Sequence, residues 1–237
     1  MASYYHHTFT SNGTTHTLTV SNGNKKLIST KDVRFIVWNL PAVSTCPYAT
    51  EHCKQACYAL KAEHNYPTAK AARIANYDAS KAINFHAEML SFIHDLMQKP
   101  SHKNAKKVFF RIHESGDFYD KRYALMWYWI ACELKDVYKN LVFEAYTKSI
   151  LYFMRDDRTP LAMPENFVLT ASVWDDTDPE LKELSFRNWK VYTAYYEKTV
   201  DALVKSGKYL RCRCSDCATC QQCYTNKVKK PIACVIH

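Results

Sequence analysis

Eight of the ten cysteines lie in two short windows, and cysteine thiolates are ligands for soft metal ions. The first window, residues 46–58, reads CPYATEHCKQACY and has the spacing C-x6-C-x3-C. The second window, residues 212–224, reads CRCSDCATCQQCY and has the spacing C-x-C-x2-C-x2-C-x2-C. The candidate metal ligands in the two windows are Cys46, Cys53, Cys57, Cys212, Cys214, Cys217, Cys220 and Cys223. Cysteines crowded in this way predict either metal sites or disulfides.

The rest of the chain favours metal over disulfides. It has 237 residues, of which 47% are apolar, so it can bury a core without covalent staples. The start, MASYYHHTFT, has no basic region followed by an apolar run, so we expect no secretory signal. No window approaches 18 uninterrupted apolar residues, so we expect no membrane span. A reducing cytoplasm is then the expected location, and thiols stay reduced there.

The spacing also bears on which metal is bound. Three thiolates in the first window leave one ligand position for water, substrate or a fourth side chain from His52, His64, His113 or the second window. Consecutive C-x2-C steps in the second window favour an iron–sulfur cluster or a larger polynuclear assembly. Zinc stays open, because zinc sites also use C-x2-C pairs. Eight thiolates suit two four-ligand sites or one shared metal–sulfur assembly, and we expect the C-terminal run to fold back toward the first window.

The formal net charge of +9 is typical of proteins that bind nucleic acid. Metal-bound thiolates alter this count, since a four-thiolate site carries about −2 overall. Two such sites reduce the charge to about +5, and seven Lys or Arg residues against one acid lie between Lys205 and Lys230, around the second window. Part of the basicity is therefore expected to balance thiolates, and a nucleic-acid partner is open but not favoured.

The hydrophobic pattern predicts an α/β fold, a partial parallel β/α barrel with an N-terminal β-hairpin and a cysteine-rich C-terminal segment. We divide the chain into an N-terminal hairpin or meander (1–32), the partial barrel (33–205) and the cysteine-rich segment (206–237). THTLTV and KKLIST, around the turn SNGN, are predicted to form the hairpin. A long helical stretch is expected at 67–98, and an open doubly wound sheet is the alternative to the barrel. Cys132 is expected in the core, and no spacing supports Cys234 as a ligand.

Polar residues follow the predicted strands, where ligands bind in both of these architectures. The predicted catalytic residues are His113, Glu114, Asp117 and Lys148, and the predicted cofactor-binding residues are Tyr146, Thr147 and Ser172. Each has an alternative role. His113 is either a ligand or proton carrier on one strand face with Arg111, or a hydrogen-bonded interior residue. Asp117 is either a helix cap or a catalytic group, and Lys148 either binds an anion or lies at the solvent rim. Only four glycines are present, which excludes the common glycine-rich nucleotide loops.

The segments NLPAVSTCPYATEHCKQACYALKAE, FFRIHESGDFYDKRYALMWYWIA and VFEAYTKS, together with the closing cysteine run, resemble a phage-encoded family known as gene product 88-like. The resemblance covers roughly residues 33–224 and implies a viral origin and a location in the host cytoplasm; it implies no particular activity. The layout is also distantly similar to radical S-adenosylmethionine enzymes, which use C-x3-C-x2-C. Here Cys53 and Cys57 match the first step, but position 60 is Leu and the glycine-rich strand is absent, so S-adenosylmethionine binding is not favoured.

Two classes of function follow. The first is a phage metal–sulfur protein, for which the spacing favours iron–sulfur, with redox or radical-type chemistry on an unknown small molecule at the strand ends. The second is a zinc-stabilised binding module without catalysis, with nucleic acid as its candidate partner. The uninterrupted C-x2-C steps favour the first class.

Overall fold

The computed structural model describes residues 3–212 and 216–236, and their strands form one nine-stranded sheet in the order β1-β2-β3-β4-β5-β6-β7-β9-β8. The strands are β1 (Tyr4–Ser11), β2 (Thr14–Ser21), β3 (Val33–Trp38), β4 (Lys107–Ile112), β5 (Leu141–Thr147), β6 (Phe167–Val173), β7 (Lys190–Tyr195), β8 (Leu210–Arg211) and β9 (Ile232–Val235). The first two pairings are antiparallel and all the others are parallel. The predicted α/β class is confirmed, and all three predicted segments contribute strands to this one sheet.

Nine α-helices lie in the part of the chain that the structure describes. They are α1 (Glu51–Gln55), α2 (Tyr58–Asn65), α3 (Pro67–Ser80), α4 (Phe85–Gln98), α5 (Pro100–Lys103), α6 (Lys121–Leu134), α7 (Pro179–Asn188), α8 (Glu197–Lys205) and α9 (Cys217–Cys220). The single helix predicted over 67–98 is two helices, α3 and α4. A straight helix of that length would extend about 48 Å, whereas a six-residue strand extends only about 20 Å. The turn between Ser80 and Phe85 lets both helices pack on the sheet. Within the described residues, no helix has the length and apolar character that crossing a membrane requires.

The N-terminal hairpin forms around the first SNG rather than the second. Asn12 and Gly13 connect β1 to β2 with φ of 48° and 77°, as a two-residue type I′ turn requires. The predicted pairing of THTLTV with KKLIST was wrong, because the segment after Gly23 is a loop. Instead β2 pairs with β3 through Val20 and Trp38. Strands β1, β2 and β3 therefore form an antiparallel meander, whose third strand begins at Val33, after the 1–32 segment in which a hairpin or meander was predicted.

Strands β3 to β7 lie side by side in chain order, so successive crossovers run in one direction. Right-handed crossovers in one direction place their helices on one face of the sheet. This face carries a large apolar core in which Trp38, Phe110 and Phe143 pack with α4 and α6. The winding of these five strands is that of a partial barrel rather than of a doubly wound sheet. The sheet itself is open, with β1 and β8 at its edges.

The winding reverses once, at the C-terminal end. The chain passes from β7 to the edge strand β8 and then returns to insert β9 between them. A right-handed crossover in this reversed direction places its connection on the opposite face. That connection contains the second cysteine window, and its Ala218 and Tyr224 pack there on Phe35 and Phe109. We call this second face, which carries Phe35, Phe109, Arg111, Glu144 and Tyr146, the cysteine face. The topology thus explains why the cysteine run covers the sheet.

Candidate metal and ligand site

The cysteine face holds a buried ion pair within otherwise apolar strands. Arg111 and Glu144 are register partners on β4 and β5, so their side chains leave the sheet on the same side. Arg111 Nη1 lies 2.9 Å from Glu144 Oε2, and the Glu144 side chain is 0% exposed. The guanidinium also lies over the ring of Tyr146, 4.2 Å from its centroid, and Tyr146 in turn contacts Tyr192.

The electrostatics of this pair are dominated by burial. Burial raises the pKa of Glu144 to about 7, even though Arg111 and Lys190 both act to lower the pKa. The Lys190 ammonium donates hydrogen bonds to the backbone oxygens of Gln222 and Thr225, which lie in the connection between β8 and β9. Two cations and one carboxyl group are therefore enclosed beneath the cysteine run.

Several buried polar atoms in this region have no hydrogen-bond partner among the described residues. They are Glu144 Oε1, Thr170 Oγ1, Gln222 Oε1 and the Tyr224 hydroxyl. Buried polar atoms in native proteins nearly always have a partner, which is often water or a bound group. The space between the cysteine run and the sheet is therefore chemically suited to a polar or ionic occupant.

The second cysteine window is held on this face by local hydrogen bonds and aromatic packing. Asp216 begins α9 by accepting hydrogen bonds from the amide and hydroxyl of Thr219. The amide of Cys217 donates to the carbonyl of Lys26, 3.3 Å away. The helix ends at Gln221, whose φ of 48° turns the chain so that the ring of Tyr224 lies 4.4 Å from the ring of Phe109. This anchoring places Cys217 and Cys223 against the Phe35–Phe109 cluster.

Two thiols of this window, those of Cys217 and Cys223, are poor nucleophiles. Burial is the largest factor that raises the pKa of Cys223 to about 12, and Glu144 raises it further; a hydrogen bond from Tyr146 and the charges of Lys190 and Arg111 act in the opposite direction. Burial likewise raises the pKa of Cys217. Reactive cysteines have lowered pKa values, so these thiols do not fit nucleophilic catalysis. They fit ligands from which a metal ion displaces the proton.

The other two candidates in the second window differ in placement. Cys212 follows β8, and its amide donates to the carbonyl of Ala233 over 2.7 Å. Cys214 lies outside the described residues. Cys220 ends α9 and lies within electrostatic range of Lys190 and Cys217. The nine described cysteines are all free thiols, so no disulfide joins any two of them.

The first cysteine window lies in the connection between β3 and α3, above the carboxyl ends of the strands. Its start is fixed by Glu63, which accepts hydrogen bonds from the amide of Ala42 and from Arg73. Val43 has a φ of 63°, which is unusual for a β-branched residue, and its carbonyl accepts the amide of Cys46. This backbone strain is held in place by the surrounding contacts.

Each cysteine of the first window is half-buried. Cys53 lies in α1, where its amide donates to Thr50, and Cys57 is the residue immediately before α2. Burial, chiefly, raises the pKa of Cys46 to about 12; Asp117 and Cys53 also raise the pKa, whereas Lys148 lowers it. Cys46 is thus the member of this window that faces the predicted strand-end residues.

Four of the predicted strand-end residues form one connected group near Cys46. Asp117 accepts hydrogen bonds from Thr147 Oγ1 at 2.6 Å and from the amide of Lys148 at 2.9 Å. Lys148 Nζ donates to Ser172 Oγ at 3.1 Å. Lys148 and Ser172 line a cavity of about 250 Å³, together with Tyr48 and Thr50 of the first cysteine window. Asp117 and Thr147 therefore fix the ends of β4 and β5, while Lys148 and Ser172 face open space.

His113 and Glu114 are not part of this group. β4 ends at Ile112, and the φ of 67° at His113 turns its side chain to the helix face, so the expected shared face with Arg111 was wrong. There His113 Nε2 lies 2.8 Å from the Tyr123 hydroxyl, and burial lowers the pKa of His113 to about 3. The Glu114 carboxylate accepts a hydrogen bond from Asn24, and its carbonyl accepts one from Tyr58.

Across the described residues, one group of three ligand-type atoms lies within 4.8 Å of one another: His52, Asp175 and Asp176. These side chains are exposed, and they tie α1 to the loop after β6 through hydrogen bonds from His52 to both aspartates. No three described sulfurs are that close. The ligands of a polynuclear cluster lie farther apart than those of one ion, because each binds a different metal atom. The sulfur arrangement is therefore not that of a compact single-ion site.

The sequence analysis did not identify the central charges of the cysteine face. Arg111 and Glu144 interrupt the apolar runs FFRI and LVFEAY, and Lys190 is the second residue of WKVYTAYY and the first of β7. A charged residue within a buried strand is a usable signal, because burying an ion requires a partner. Cys234 was also missed as a neighbour of Cys212, since only the pairing of β8 with β9 brings them together.

The fold and the site define a class of α/β protein. Its parallel strands β3 to β7 follow one another in chain order, helices cover one face of the sheet, and the cysteine-rich connection between β8 and β9 packs on the other face. The chain belongs to the gene product 88 family, whose pattern matches residues 16–229. It is 30% identical over 110 residues to the Gene 88 protein of Mycobacterium phage D29, a match that covers 44% of this chain and 42% of that protein. The chain therefore spans less than half the length of this curated relative. No solved structure matches the chain, and the comparisons do not support similarity to radical S-adenosylmethionine enzymes.

Proposed function

We propose that this chain is a metal–sulfur protein, with an iron–sulfur cluster as the first candidate, and that redox chemistry on a small molecule takes place at the carboxyl ends of its strands. The observation that carries the proposal is the position of the second cysteine window. Its described cysteines Cys217 and Cys223 lie on the cysteine face near two partly buried cations, Arg111 and Lys190.

Charge balance supports this assignment. Two enclosed cations face a single carboxyl group, Glu144, whose pKa burial raises to about 7. Buried charges require compensation, and a thiolate-bound cluster with a net negative charge supplies it. Hydrogen bonds and nearby charges also set the reduction potential of such clusters. Tyr146, Arg111 and Lys190 are the residues that would do so here.

The first window and its neighbours provide the substrate side of the proposal. Cys46, Cys53 and Cys57 supply three thiolates, which leaves one metal position for a ligand. The Lys148 ammonium lines the adjacent cavity and would bind a carboxylate or phosphate group. Asp117 and Thr147 hold the backbone of Lys148 in place and act as positioning residues. S-adenosylmethionine is not favoured as the small molecule, since Leu60 replaces the third cysteine of that motif.

The test is metal and sulfide analysis after anaerobic purification. We expect iron and acid-labile sulfide, together with visible absorbance from cluster charge transfer. Replacement of Cys217, Cys220 and Cys223 by serine should remove most of the cluster, and the same change at Cys46, Cys53 and Cys57 should lower metal content. Cys132→Ser, on α6 beside Tyr128, is the matched control and should leave the metal unchanged. Iron and zinc both absent from wild-type protein would refute the proposal.

The second candidate function is a zinc-stabilised module that binds nucleic acid. The observation that favours it is the basic surface around the cysteine run. Five exposed lysines lie there: Lys205, Lys208, Lys227, Lys229 and Lys230. Phosphate contacts release counterions, so such binding should weaken steeply with salt. Zinc without sulfide, together with salt-sensitive binding to single- or double-stranded DNA or RNA, would favour this candidate over the first.

A further inference from the structure

The edge of the sheet brings together two cysteines that are 22 positions apart in the sequence. Strands β8 and β9 are parallel, with Leu210 opposite Ile232 and Arg211 opposite Ala233. Cys212 follows in the same register, and its amide still donates to the carbonyl of Ala233. The residue opposite Cys212 is therefore Cys234, and residues opposite each other in a parallel pair lie on the same face of the sheet.

That face is the cysteine face. Cys234 lies opposite Ala194 of β7, two positions after the pair formed by Tyr192 and Ile232. Side chains alternate along a strand, so Cys234 shares the face of Tyr192, which contacts Tyr146. Cys234 is 5% exposed, and Cys212 is half-buried.

The two cysteines also lie where the topology favours a ligand. The connection from β7 to β8 contains α8, whereas the connection from β8 to β9 contains the second cysteine window and lies on the other face. A crevice forms outside the carboxyl ends of strands where successive connections take opposite faces, and ligands bind there. Cys212 follows the carboxyl end of β8, and Cys234 is near the carboxyl end of β9.

We propose that Cys212 and Cys234 together supply two thiolates to a soft metal, zinc or cluster iron, at this end of the sheet. The inference rests on the proposed metal–sulfur function and extends it to a residue outside both cysteine windows. As each sulfur–metal bond forms, the thiol proton passes to solvent. Neighbouring strands are about 4.8 Å apart, and a zinc–sulfur bond is about 2.3 Å long, so one ion can be bound by both sulfurs.

The same geometry divides the second window into two groups. Cys217 and Cys223 pack against the Phe35–Phe109 cluster, and Cys223 also lies near Lys190 of β7. Cys212 follows the edge strand β8, which β9 separates from β7. Among the described cysteines, Cys217 and Cys223 therefore lie toward the middle of the cysteine face and Cys212 lies at its edge, which fits two places better than one shared cluster.

The test compares Cys212→Ala, Cys234→Ala and the double variant with wild type and Cys132→Ala. Bound metal is measured in purified protein, and Co²⁺ alone is titrated into metal-free protein under reducing conditions while the cobalt–thiolate charge-transfer band is followed. We expect each single variant to lower bound metal and band intensity, and the double variant to add little to either loss, because one site needs both thiols. Cys132→Ala should match wild type.

Thermal unfolding of the metal-free and Co²⁺-loaded proteins separates ligand loss from damage to the fold. A lost ligand reduces the shift in Tm that Co²⁺ produces, since ligand binding stabilises the folded state by mass action. A damaged fold lowers Tm equally with and without Co²⁺, and that result would overturn the inference. Unchanged metal binding in both single variants, or a Cys212–Cys234 disulfide in protein kept under reductant, would also overturn it while leaving the metal–sulfur function intact. Absence of metal from wild type and Cys132→Ala alike would instead refute the proposed function itself.

Discussion

At the scale of single residues, burial decides the state of most titratable groups around the site. Burial raises the pKa of the Cys46 and Cys223 thiols to about 12 and that of Glu144 to about 7, and lowers the pKa of His113 to about 3. Each shift favours the neutral form. Neutral Cys46 and Cys223 thiols and a neutral His113 imidazole are therefore favoured, while Arg111 and Lys190 carry positive charge, and metal binding is the event that would introduce thiolate charge.

The effect of burial on His113 can be tested through the stability of the protein in acid. Its pKa is about 3 in the folded chain and about 6.5 when unfolded, so the unfolded state binds the extra proton between these values. The contribution of neutral His113 to stability is present above pH 6.5 and is lost as pH falls toward 3, by up to about 1.4 kcal/mol per pH unit. Asn tolerates the left-handed φ of 67° and does not titrate, so we expect His113→Asn to be less stable than wild type at pH 7.

The difference in unfolding free energy between His113→Asn and wild type should shrink as pH is lowered from 6.5 to 5, as measured by urea unfolding. If the unfolding free energies of His113→Asn and wild type differ by the same amount at every pH, the stabilising effect of His113 does not come from burial of a neutral imidazole.

At the scale of elements, the first cysteine window depends on the close approach of two loops. Gly116 has a φ of 83°, and a Cβ there would lie 2.7 Å from both Leu40 Cβ and Thr45 Oγ1. The amide of Leu40 donates to the carbonyl of Ser115, and Ser115 Oγ donates to the carbonyl of Leu40. The loop after β4 thus holds the loop that carries Cys46.

Gly116→Ala should therefore displace the first window as well as strain the backbone. Gly13→Ala is the matched control, because Gly13 has a similar φ of 77° but no atom within 4 Å of an added Cβ. We expect Gly116→Ala to lower the unfolding free energy by more than about 1 kcal/mol relative to Gly13→Ala. It should also lower metal content, which the control should retain. Equal stability and metal content in the two variants would contradict a supporting role for this contact.

The elements that the sequence predicted best were those with a strong local pattern. The short apolar runs VRFIVW, KVFFRI and FVLTASV predict buried strands, and each is a strand in the structure, because its apolar residues are buried on both faces of the sheet. The hairpin partner was wrong, since two SNG turns offer the same local signal and only the pairing of β2 with β3 decides between them. The four-residue strand β9 was missed because IACV is too short to show a period.

The parts of the candidate site that lie close together in the sequence could be predicted, whereas the parts that only the fold brings together could not. The two cysteine windows are visible as sequence motifs, whereas the ion pair of Arg111 and Glu144 and the neighbours Cys212 and Cys234 depend on strand register. The reversal of winding after β7 is what places the second window on the cysteine face. Such a reversal is a property of the whole sheet, and no short segment contains it.

At the scale of the whole molecule, the cysteine run acts as the cover of one face of the sheet. In the described part of the run, Ala218 and Tyr224 are the buried apolar residues that pack there. Burial of one aromatic and one alanine side chain stabilises a segment by only a few kcal/mol, about 25 cal/mol per Å². A bound metal would supply the remaining anchor, since structural metal sites contribute directly to folding free energy.

Limited proteolysis with trypsin should detect this anchor. Lys227 and Lys229 are exposed just beyond the cysteine run, and Arg155 is exposed in the loop after β5, outside both cysteine windows in the sequence. Cleavage of a folded chain requires local opening, and opening of the metal-bound run also requires release of the metal. We expect metal removal by a chelator to accelerate cleavage after Lys227 and Lys229 at least tenfold, which corresponds to about 1.4 kcal/mol of local stability, while cleavage after Arg155 changes little. Equal acceleration at both places would indicate global unfolding, and no acceleration at either would show that the run is held without metal.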